Sequence, residues 1–147
     1  MEYNNYMKLE FESKSHNEAF ARVVVAAFAA QLDPTIEEIT DIKTSVSEAV
    51  TNAIIHGYED KIGLITIVAV IRGKEIEIDV SDNGKGIENV IKAMEPLYTS
   101  KPELERSGIG FTVMETFMNV VKVYSTVGEG TRIRMIKRIQ NQNTEIR

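Results

Sequence analysis

Two polar residues stand one helical turn apart in the stretch VSEAVTNAIIHGY, residues 46–58, whose apolar residues recur at a helical period. Glu48 and Asn52 are spaced i,i+4, which puts their side chains on adjoining turns, where they can converge on one point outside the apolar arc. Thr51 lies on the same side of the helix. The pair alone is also typical of a solvated helix face, so its meaning depends on what accompanies it.

Two glycine motifs follow further along the chain. In DVSDNGKGI, Asp82 ends a β-rich run and is followed by Gly84 and Gly86. A tight turn leaving a strand would explain one of these glycines but does not need both. In SGIGF, Gly108 and Gly110 lie where a loop becomes a helix, so backbone N–H groups there can face an anionic ligand, unless the motif is only a flexible joint. The three signals, in this order, favour a binding site.

The elements that must position these residues begin with two predicted helices. Ser15 with Glu18, and Thr35 with Glu38, have the spacing of a capping box, in which a hydroxyl and a carboxylate satisfy N–H groups at a helix start. The first box opens an apolar segment that reaches residue 32. The second predicts a helix from residue 36 to about residue 56, ended by Gly57. Its predicted core arc is formed by Ile39, Ile42, Val46, Ala49, Val50 and Ala53.

Five β-rich runs complete the pattern. MKLEFES alternates like a strand before the first helix, and two pairs of runs are predicted to form antiparallel hairpins. The first hairpin joins LITIVAVI to EIEIDVS, and the second joins VVKVYST to TRIRMIKRI. Between the hairpins, residues 82–110 are rich in glycine, proline, serine and charge, and FTVMETFM predicts a short helix after them. So long an irregular segment in a small domain is typical of a functional loop or lid.

Composition limits the classes of protein that fit. A chain of 147 residues with 43% hydrophobic and 27% charged residues predicts a single soluble domain, 1–147, with a tail that frays from about residue 139. No apolar run approaches the roughly 20 residues of a membrane span, and no signal peptide is recognisable, so we expect a cytoplasmic protein rather than a membrane protein. The absence of cysteine excludes disulfides, and a net charge of -5 argues against direct binding of nucleic acid.

The order Glu48-x-x-x-Asn52, Asp82-x-Gly84-x-Gly86, then a G-x-G before a helix resembles the Bergerat-type ATP-binding fold of gyrase, histidine kinases and the MutL proteins. More specifically, FARVVVAAFAAQLDPT, SEAVTNAIIHGY and PLYTSKPELERSGIGFTVME are similar to the sporulation anti-sigma-F factors, the switch-type serine kinases of spore-forming bacteria. The resemblance implies an α/β (α+β) two-layer sandwich, with a mixed, mainly antiparallel sheet that carries helices on one face.

The resemblance also implies roles for the residues of the three motifs. Asn52 would offer its carbonyl oxygen to a Mg²⁺ ion that is held mainly by nucleotide phosphates. Glu48 would act as the general base on the attacking hydroxyl. Asp82 would accept a hydrogen bond from the adenine amino group, with Gly84 and Gly86 letting the backbone pass close to the base.

The same family assigns the phosphates of ATP to the loop before the last helix. Gly108 and Gly110, with Ser107 beside them, would put backbone amides on the phosphates. Lys101 and Arg106 would offset charge that builds up on the γ-phosphoryl group. The resemblance therefore implies ATP as substrate, ADP as product and Mg²⁺ as cofactor.

Three further assignments concern the base and the protein partners. Thr131 matches a family position that reaches adenine through water. Arg22 interrupts an apolar helix and reaches either solvent or an acidic partner. By resemblance Arg22, Thr51 and Arg106 face the partners, which are a sigma factor and an anti-anti-sigma protein, and the chain forms a homodimer.

The implied activity is ATP-dependent sequestration of a sigma factor, together with phosphorylation of a serine on its anti-anti-sigma antagonist. Three alternatives stay open from the sequence. The chain could be a nucleotide-gated sigma-binding module without kinase activity. It could be a general-stress switch kinase of the same family, or the ATP module of a histidine kinase, although 147 residues leave no room for the helical dimerisation domain of the last.

Overall fold

A five-stranded sheet forms one layer of the protein in the computed structural model, which describes residues 3–95 and 110–141. The strand order is β1-β2-β3-β5-β4, so the last strand lies between the third and the fourth. The strands are β1 (Asn5–Glu12), β2 (Leu64–Arg72), β3 (Glu75–Asp82), β4 (Val120–Thr126) and β5 (Gly130–Arg138). All five predicted strands and both predicted hairpins are confirmed.

Helices form the second layer. They are α1 (Asn17–Ala29), α2 (Ile36–Asn52), α3 (Val90–Ala93) and α4 (Gly110–Phe117), with a 3₁₀ turn at Ala30–Leu32 and a π-helical turn at Ala53–Tyr58. The helix α2 lies between α1 and α4 and buries most of its predicted arc on the sheet. The predicted two-layer fold class is confirmed. Within the described residues, no helix has both the length and the apolar composition that crossing a membrane requires.

The expectation of a mixed sheet is corrected in one respect, because the four strand pairings that the structure describes are all antiparallel. The reason lies between β1 and β2. Two helices connect these strands, and together they return the chain to the end where β1 stopped, since Glu12 pairs with Leu64. A single helix would have favoured a parallel crossover.

The inner face of β3 shows how the sheet reaches the functional residues. Ile76, Ile78 and Val80 are buried at every second position and pack in the core. The alternation of a strand places Asp82 on the same face, where it is also buried. The core face of the central strand therefore ends on a carboxylate.

The N-terminus of α2 has the predicted capping box. The Thr35 hydroxyl accepts from the Glu38 backbone N–H at 3.1 Å, and the Glu38 carboxylate accepts from the Thr35 N–H at 2.9 Å. The same carboxylate accepts the N–H groups of Gln140 and Asn141. Ile139 is 1% exposed. The fraying expected from residue 139 is therefore wrong for residues 139–141, and residues 142–147 lie outside the described part.

The capping box predicted at Ser15 is wrong. The helix α1 begins at Asn17, and the residue at its N-cap position, His16, makes no side-chain capping bond. The carboxylate of Glu18 instead accepts from Arg22 at 2.9 Å and from the Ser47 hydroxyl of α2. The Glu18 carboxylate therefore bonds to Ser47 of α2 and does not cap the start of α1.

A half-buried ion pair fixes a second long-range contact of α2. The Lys137 ammonium of β5 donates to the Asp41 carboxylate of α2 at 3.1 Å and to the backbone oxygen of Phe117 at 2.7 Å. Phe117 is the last residue of α4, where a cation also interacts favourably with the helix dipole. One lysine thus joins α2, α4 and the sheet.

Candidate functional site

The helix α2 carries the first two candidate residues near its C-terminal end. Asn52 is its last residue and is 9% exposed, while Glu48 lies one turn earlier and is half-buried. Thr51 is half-buried beside them. The apolar arc packs on the sheet, with Ile42 and Val46 fully buried, so the two polar residues are positioned by a helix that is fixed on its other side.

The predicted stop at Gly57 is wrong, because the helix continues through it as a π-helical turn that ends at Tyr58. The structure gives this glycine another purpose. A Cβ atom built on Gly57 would lie 2.9 Å from the carboxyl carbon and both carboxyl oxygens of Asp82. The absence of a side chain therefore lets the end of α2 lie directly against the carboxylate. Such π-helical turns are frequent at functional sites.

Asp82 lies at the end of β3, directly opposite Thr131 of β5, and is 7% exposed. Its Oδ1 accepts the Gly84 N–H at 2.8 Å. Burial raises the pKa of the Asp82 carboxyl and outweighs the backbone N–H groups of Gly84 and Thr131, which lower it. A buried carboxylate that its own surroundings stabilise incompletely is suited to accept a further donor from a ligand.

Three further glycines let backbone segments lie close together beside Asp82. A Cβ on Gly84 would lie 2.1 Å from the Gly57 carbonyl oxygen, and one on Gly86 would lie 2.4 Å from the carbonyl that ends β4. Gly130 has φ +125° and would place a Cβ 2.0 Å from the Asp82 carbonyl oxygen. The structure therefore brings together the glycines of the predicted motif and adds Gly57 and Gly130, which the sequence analysis did not assign to the site.

Hydroxyl groups hold the loop after Asp82 on its other side. The Ile87 N–H donates to the Ser125 hydroxyl at 2.7 Å. That hydroxyl lies 2.9 Å from the hydroxyl of Thr131 and 3.1 Å from the backbone oxygen of Gly130. Thr131 is therefore beside Asp82, and its hydroxyl is engaged with Ser125. Ser125 was not predicted as part of the site, because nothing in the neighbouring residues marks a strand serine that bonds to a loop 38 residues away.

Of the residues predicted to hold the phosphates, Lys101, Arg106, Ser107 and Gly108 lie outside the described residues. Gly110 begins α4, which packs against α2. The structure thus places the start of α4 in the same layer as Glu48 and Asn52.

Arg22, predicted to reach solvent or an acidic partner, contacts an acidic group of its own chain. It donates to Glu18 at 2.9 Å and to the Ser47 hydroxyl at 3.3 Å. An open depression of about 380 Å³ adjoins this cluster. Its lining residues are Arg22, Thr40, Lys43, Thr44, Ser47 and Glu48. The arginine therefore borders a surface that reaches the candidate catalytic carboxylate.

The surroundings of Asn52 fit a hard cation that takes one ligand from the protein and the rest from phosphates and water. Among residues 3–95 and 110–141 no three histidine, aspartate or glutamate side chains cluster as they would to enclose a metal ion. Asn52 supplies one buried carboxamide oxygen, the kind of ligand that Mg²⁺ takes singly beside phosphates. The residues present fit such an ion.

Comparison with known proteins agrees with this geometry. The family model described as the histidine kinase-like ATPase domain matches residues 11–137. The anti-sigma F factor of Thermoanaerobacter sp. strain X514 is 68% identical over 139 residues, which are 95% of this chain and 97% of that protein. The anti-sigma F factor of Clostridium kluyveri is 65% identical over 135 residues, covering 92% of this chain and 95% of the relative.

A solved structure supports the fold independently. The crystal structure of the RsbU and RsbW domains of a Mycobacterium tuberculosis protein matches with a TM-score of 0.66 and 18% identity, covering 92% of this chain and 32% of that one. At that identity the likeness concerns the fold alone. The sequence relatives carry the closer assignment, and the chain belongs to the family of anti-sigma F factors, whose fold is the histidine kinase-like ATPase domain.

Proposed function

We propose that this anti-sigma factor is an ATP-dependent protein serine kinase that sequesters a sporulation sigma factor and phosphorylates a serine of its antagonist. The observation that carries the proposal is Asp82, a buried carboxylate that lies against Gly57 in the π-helical turn following the helix that bears Glu48 and Asn52. A base-recognition group and two groups suited to phosphoryl transfer thus belong to one connected unit.

The proposed base selectivity follows from hydrogen-bond chemistry. A carboxylate only accepts, so Asp82 matches the amino group of adenine and repels the carbonyl oxygen that guanine carries in its place. Gly57 has no side chain to press on that carboxylate, and Gly84 and Gly130 let the neighbouring backbone lie close to Asp82. ATP is accordingly the proposed substrate rather than GTP.

The proposed metal site uses Asn52. Its carboxamide oxygen would be one ligand of a Mg²⁺ ion, which neutralises phosphate charge when bound. Asn52 is buried at the end of a fixed helix, so its oxygen is held in one place before a nucleotide arrives. The phosphate contacts proposed for Lys101, Arg106, Ser107, Gly108 and Gly110 would complete the site.

The proposed chemical step is transfer of the γ-phosphoryl group to a serine hydroxyl. The bond from the serine oxygen to phosphorus forms, the bond to the β-phosphate oxygen breaks, and ADP leaves. Glu48 takes the hydroxyl proton. Its half-buried position one turn from Asn52 supports this role, because a general base must lie within hydrogen-bond reach of the hydroxyl that attacks the phosphorus.

The proposed partner surface lies along α1 and the depression next to it. Phe20 and Val23 of α1 are 49% and 59% exposed, an apolar pair beside Arg22. Such a combination supports docking of another protein, because exposed apolar residues with an arginine are typical of interface centres. We assign Arg22, Thr51 and Arg106 to binding of the sigma factor or its antagonist. We further propose that the protein acts as a homodimer in the cytoplasm.

The proposal is tested with radiolabelled ATP, Mg²⁺ and the antagonist protein. The parent is expected to form phosphoserine, and Glu48→Gln is expected to lower the rate by about 10²-fold to 10⁴-fold while ATP and sigma factor still bind. The matched control, Glu37→Gln, removes an exposed carboxylate from the first turn of the same helix and should leave the rate unchanged.

The possible outcomes separate the candidate functions. Transfer at the parent rate by Glu48→Gln would show that the carboxylate is not the base. ATP-dependent capture of the sigma factor without any transfer by the parent would show a nucleotide-gated binding module. Phosphohistidine in place of phosphoserine would place the chain with the histidine kinases.

A further inference from the structure

The loop that follows Asp82 is held from both sides by hydrogen bonds. On the side of the β4–β5 hairpin, the Gly128 N–H donates to the backbone oxygen of Lys85 at 2.7 Å, and Ser125 holds the Ile87 N–H. On the side of α2, the Gly57 backbone oxygen accepts the Lys85 N–H at 2.9 Å. The end of α2 and the base-recognition loop are therefore joined directly.

One side chain at the end of α2 strengthens this junction. The hydroxyl of Tyr58 accepts the N–H of Asn83 at 2.7 Å and donates to the backbone oxygen of Leu64 at 2.5 Å. Asn83 is the residue directly after Asp82, and Leu64 begins β2. The phenol thus bridges the first residue of the loop and the start of a strand.

The ring of Tyr58 packs closely against the backbone at Gly63. A Cβ on Gly63 would lie 2.2 Å from a ring carbon of Tyr58, so this position is closed to any side chain. The ring is therefore packed against backbone, and its hydroxyl is aimed at the Asn83 N–H. Neither the spacing of the motifs nor the helical period marks Tyr58 as part of the site.

We propose that Tyr58 is a positioning residue for base recognition. With the Gly57 backbone, it fixes the start of the loop and thereby the direction in which the Asp82 carboxylate points. The inference rests on the proposed nucleotide site. It adds that the π-helical turn ties the adenine-binding group to the helix that carries Glu48 and Asn52.

A specific consequence distinguishes positioning from simple stabilisation. If Tyr58 acts through the Asp82 carboxylate, its loss weakens the bond to the adenine amino group and leaves phosphate contacts intact. ATP and ADP should then lose affinity equally, since they share the base. An ATP analogue whose purine lacks the amino group should lose nothing, because it never formed that bond.

The test compares Tyr58→Phe with Tyr6→Phe, which removes a hydroxyl from an exposed tyrosine on β1, remote from the loop. Calorimetric titration should show ATP and ADP affinities reduced by about 3- to 10-fold in Tyr58→Phe, the worth of one neutral hydrogen bond. The amino-free analogue should bind this variant and the parent alike. Tyr6→Phe should match the parent with all three nucleotides.

Unchanged ATP affinity in Tyr58→Phe would overturn the inference, as would an equal loss with the amino-free analogue, which marks a general structural effect. A parent that binds no adenine nucleotide would instead overturn the proposed function and this inference with it. Should Tyr58→Phe fail to fold, Gly57→Ala is the second variant, because its Cβ would press on the Asp82 carboxylate. Gly57→Ala should also lose ATP affinity but keep affinity for the analogue, and an equal loss of affinity for the two ligands would overturn the inference.

Discussion

A carboxylate lies at each end of the segment formed by α2 and its π-helical turn: Glu38 in the first turn of α2, and Asp82 of β3 against Gly57. The pKa values of the two are shifted in opposite directions. At the N-terminus, burial raises the pKa of Glu38, but the backbone N–H groups of Thr35, Gln140 and Asn141 outweigh it, and the pKa is lowered. At the C-terminus, burial raises the pKa of Asp82 more than its two backbone donors lower it. The two carboxylates therefore differ both in how far each is removed from water and in the number of N–H groups that each accepts.

This difference separates an anchoring end from a binding end. Glu38 is half-buried and ties the start of α2 to the chain after β5, so its charge stabilises the fold. Asp82 is buried and holds its charge at a cost to stability, which a ligand donor can offset. The helix α2 is therefore fixed at its first end, and the second end is where the proposed nucleotide would supply the additional donor.

The largest effect on stability is expected from adding a side chain where the backbone of Gly130 lies against that of Asp82. Gly130→Ala should destabilise the fold by about 2–5 kcal/mol, since the residue would combine a positive φ with overpacking against Asp82. Gly73→Ala is the control, because Gly73 has φ +60° with open space around it, and its cost should be about 1–2 kcal/mol. Urea unfolding measures both, and equal losses would show that the close approach does not matter.

The charge at the binding end is tested by Asp82→Asn. The affinity for ATP should fall about 10- to 100-fold, because a charge-assisted hydrogen bond to the base is replaced by a weaker one. The unliganded protein should be no less stable than the parent at neutral pH, since a costly buried charge is removed. Calorimetry measures the affinity for ATP, and urea unfolding measures the free energy of unfolding. A variant that loses stability but keeps its affinity for ATP would show that Asp82 stabilises the fold and does not bind the nucleotide.

The anchoring end should behave in the opposite way. Glu38→Gln should lower the free energy of unfolding by about 1 kcal/mol, the usual worth of a helix cap, and should leave ATP affinity unchanged. Glu37→Gln, one residue earlier in the same first turn, controls for the interaction of any carboxylate with the helix dipole. Equal effects of the two changes would mean that the bonds to residues 140–141 add nothing.

The smallest effect is a contrast in pH dependence. The lowered pKa of Glu38 means that its stabilisation is complete above the unfolded value, 4.5, and is lost as the pH falls through the folded pKa. The raised pKa of Asp82 means that its cost is present at neutral pH and is relieved as the pH falls. The free energy of unfolding should therefore be measured from neutral to acid pH. As the pH falls, the deficit of Glu38→Gln relative to the parent should shrink, and so should any excess stability of Asp82→Asn.

The parts of the fold that sequence predicted are those in which the deciding contact is local. Thr35 and Glu38 are three residues apart, and their capping box formed as expected. Ser15 and Glu18 have the same spacing, yet Glu18 bonds to Ser47, 29 residues away. A short motif cannot show that a partner from another helix competes for the same group.

The candidate site divides in the same way. Asp82 and the glycines after it could be predicted, because strand alternation and turn chemistry are visible in nine consecutive residues. The role of Gly57 could not, because a glycine near a helix end looks like a stop until Asp82 is seen against it. The bond from the Asn83 N–H to the Tyr58 hydroxyl was equally hidden, since it joins positions 25 residues apart.

The last strand, β5, lies inside the sheet between β3 and β4, and this position has a consequence for how the protein is synthesised. Thr131, which lies opposite Asp82, belongs to this strand, and residues 140–141 that bind Glu38 follow it. Chains are synthesised from the N-terminus, so both ends of α2 stay incomplete until nearly all of the described chain has emerged from the ribosome. A chain without β5 would lack an interior strand of its sheet and the residues that meet both ends of α2, so binding of ATP at the proposed site would require that β5 has been synthesised.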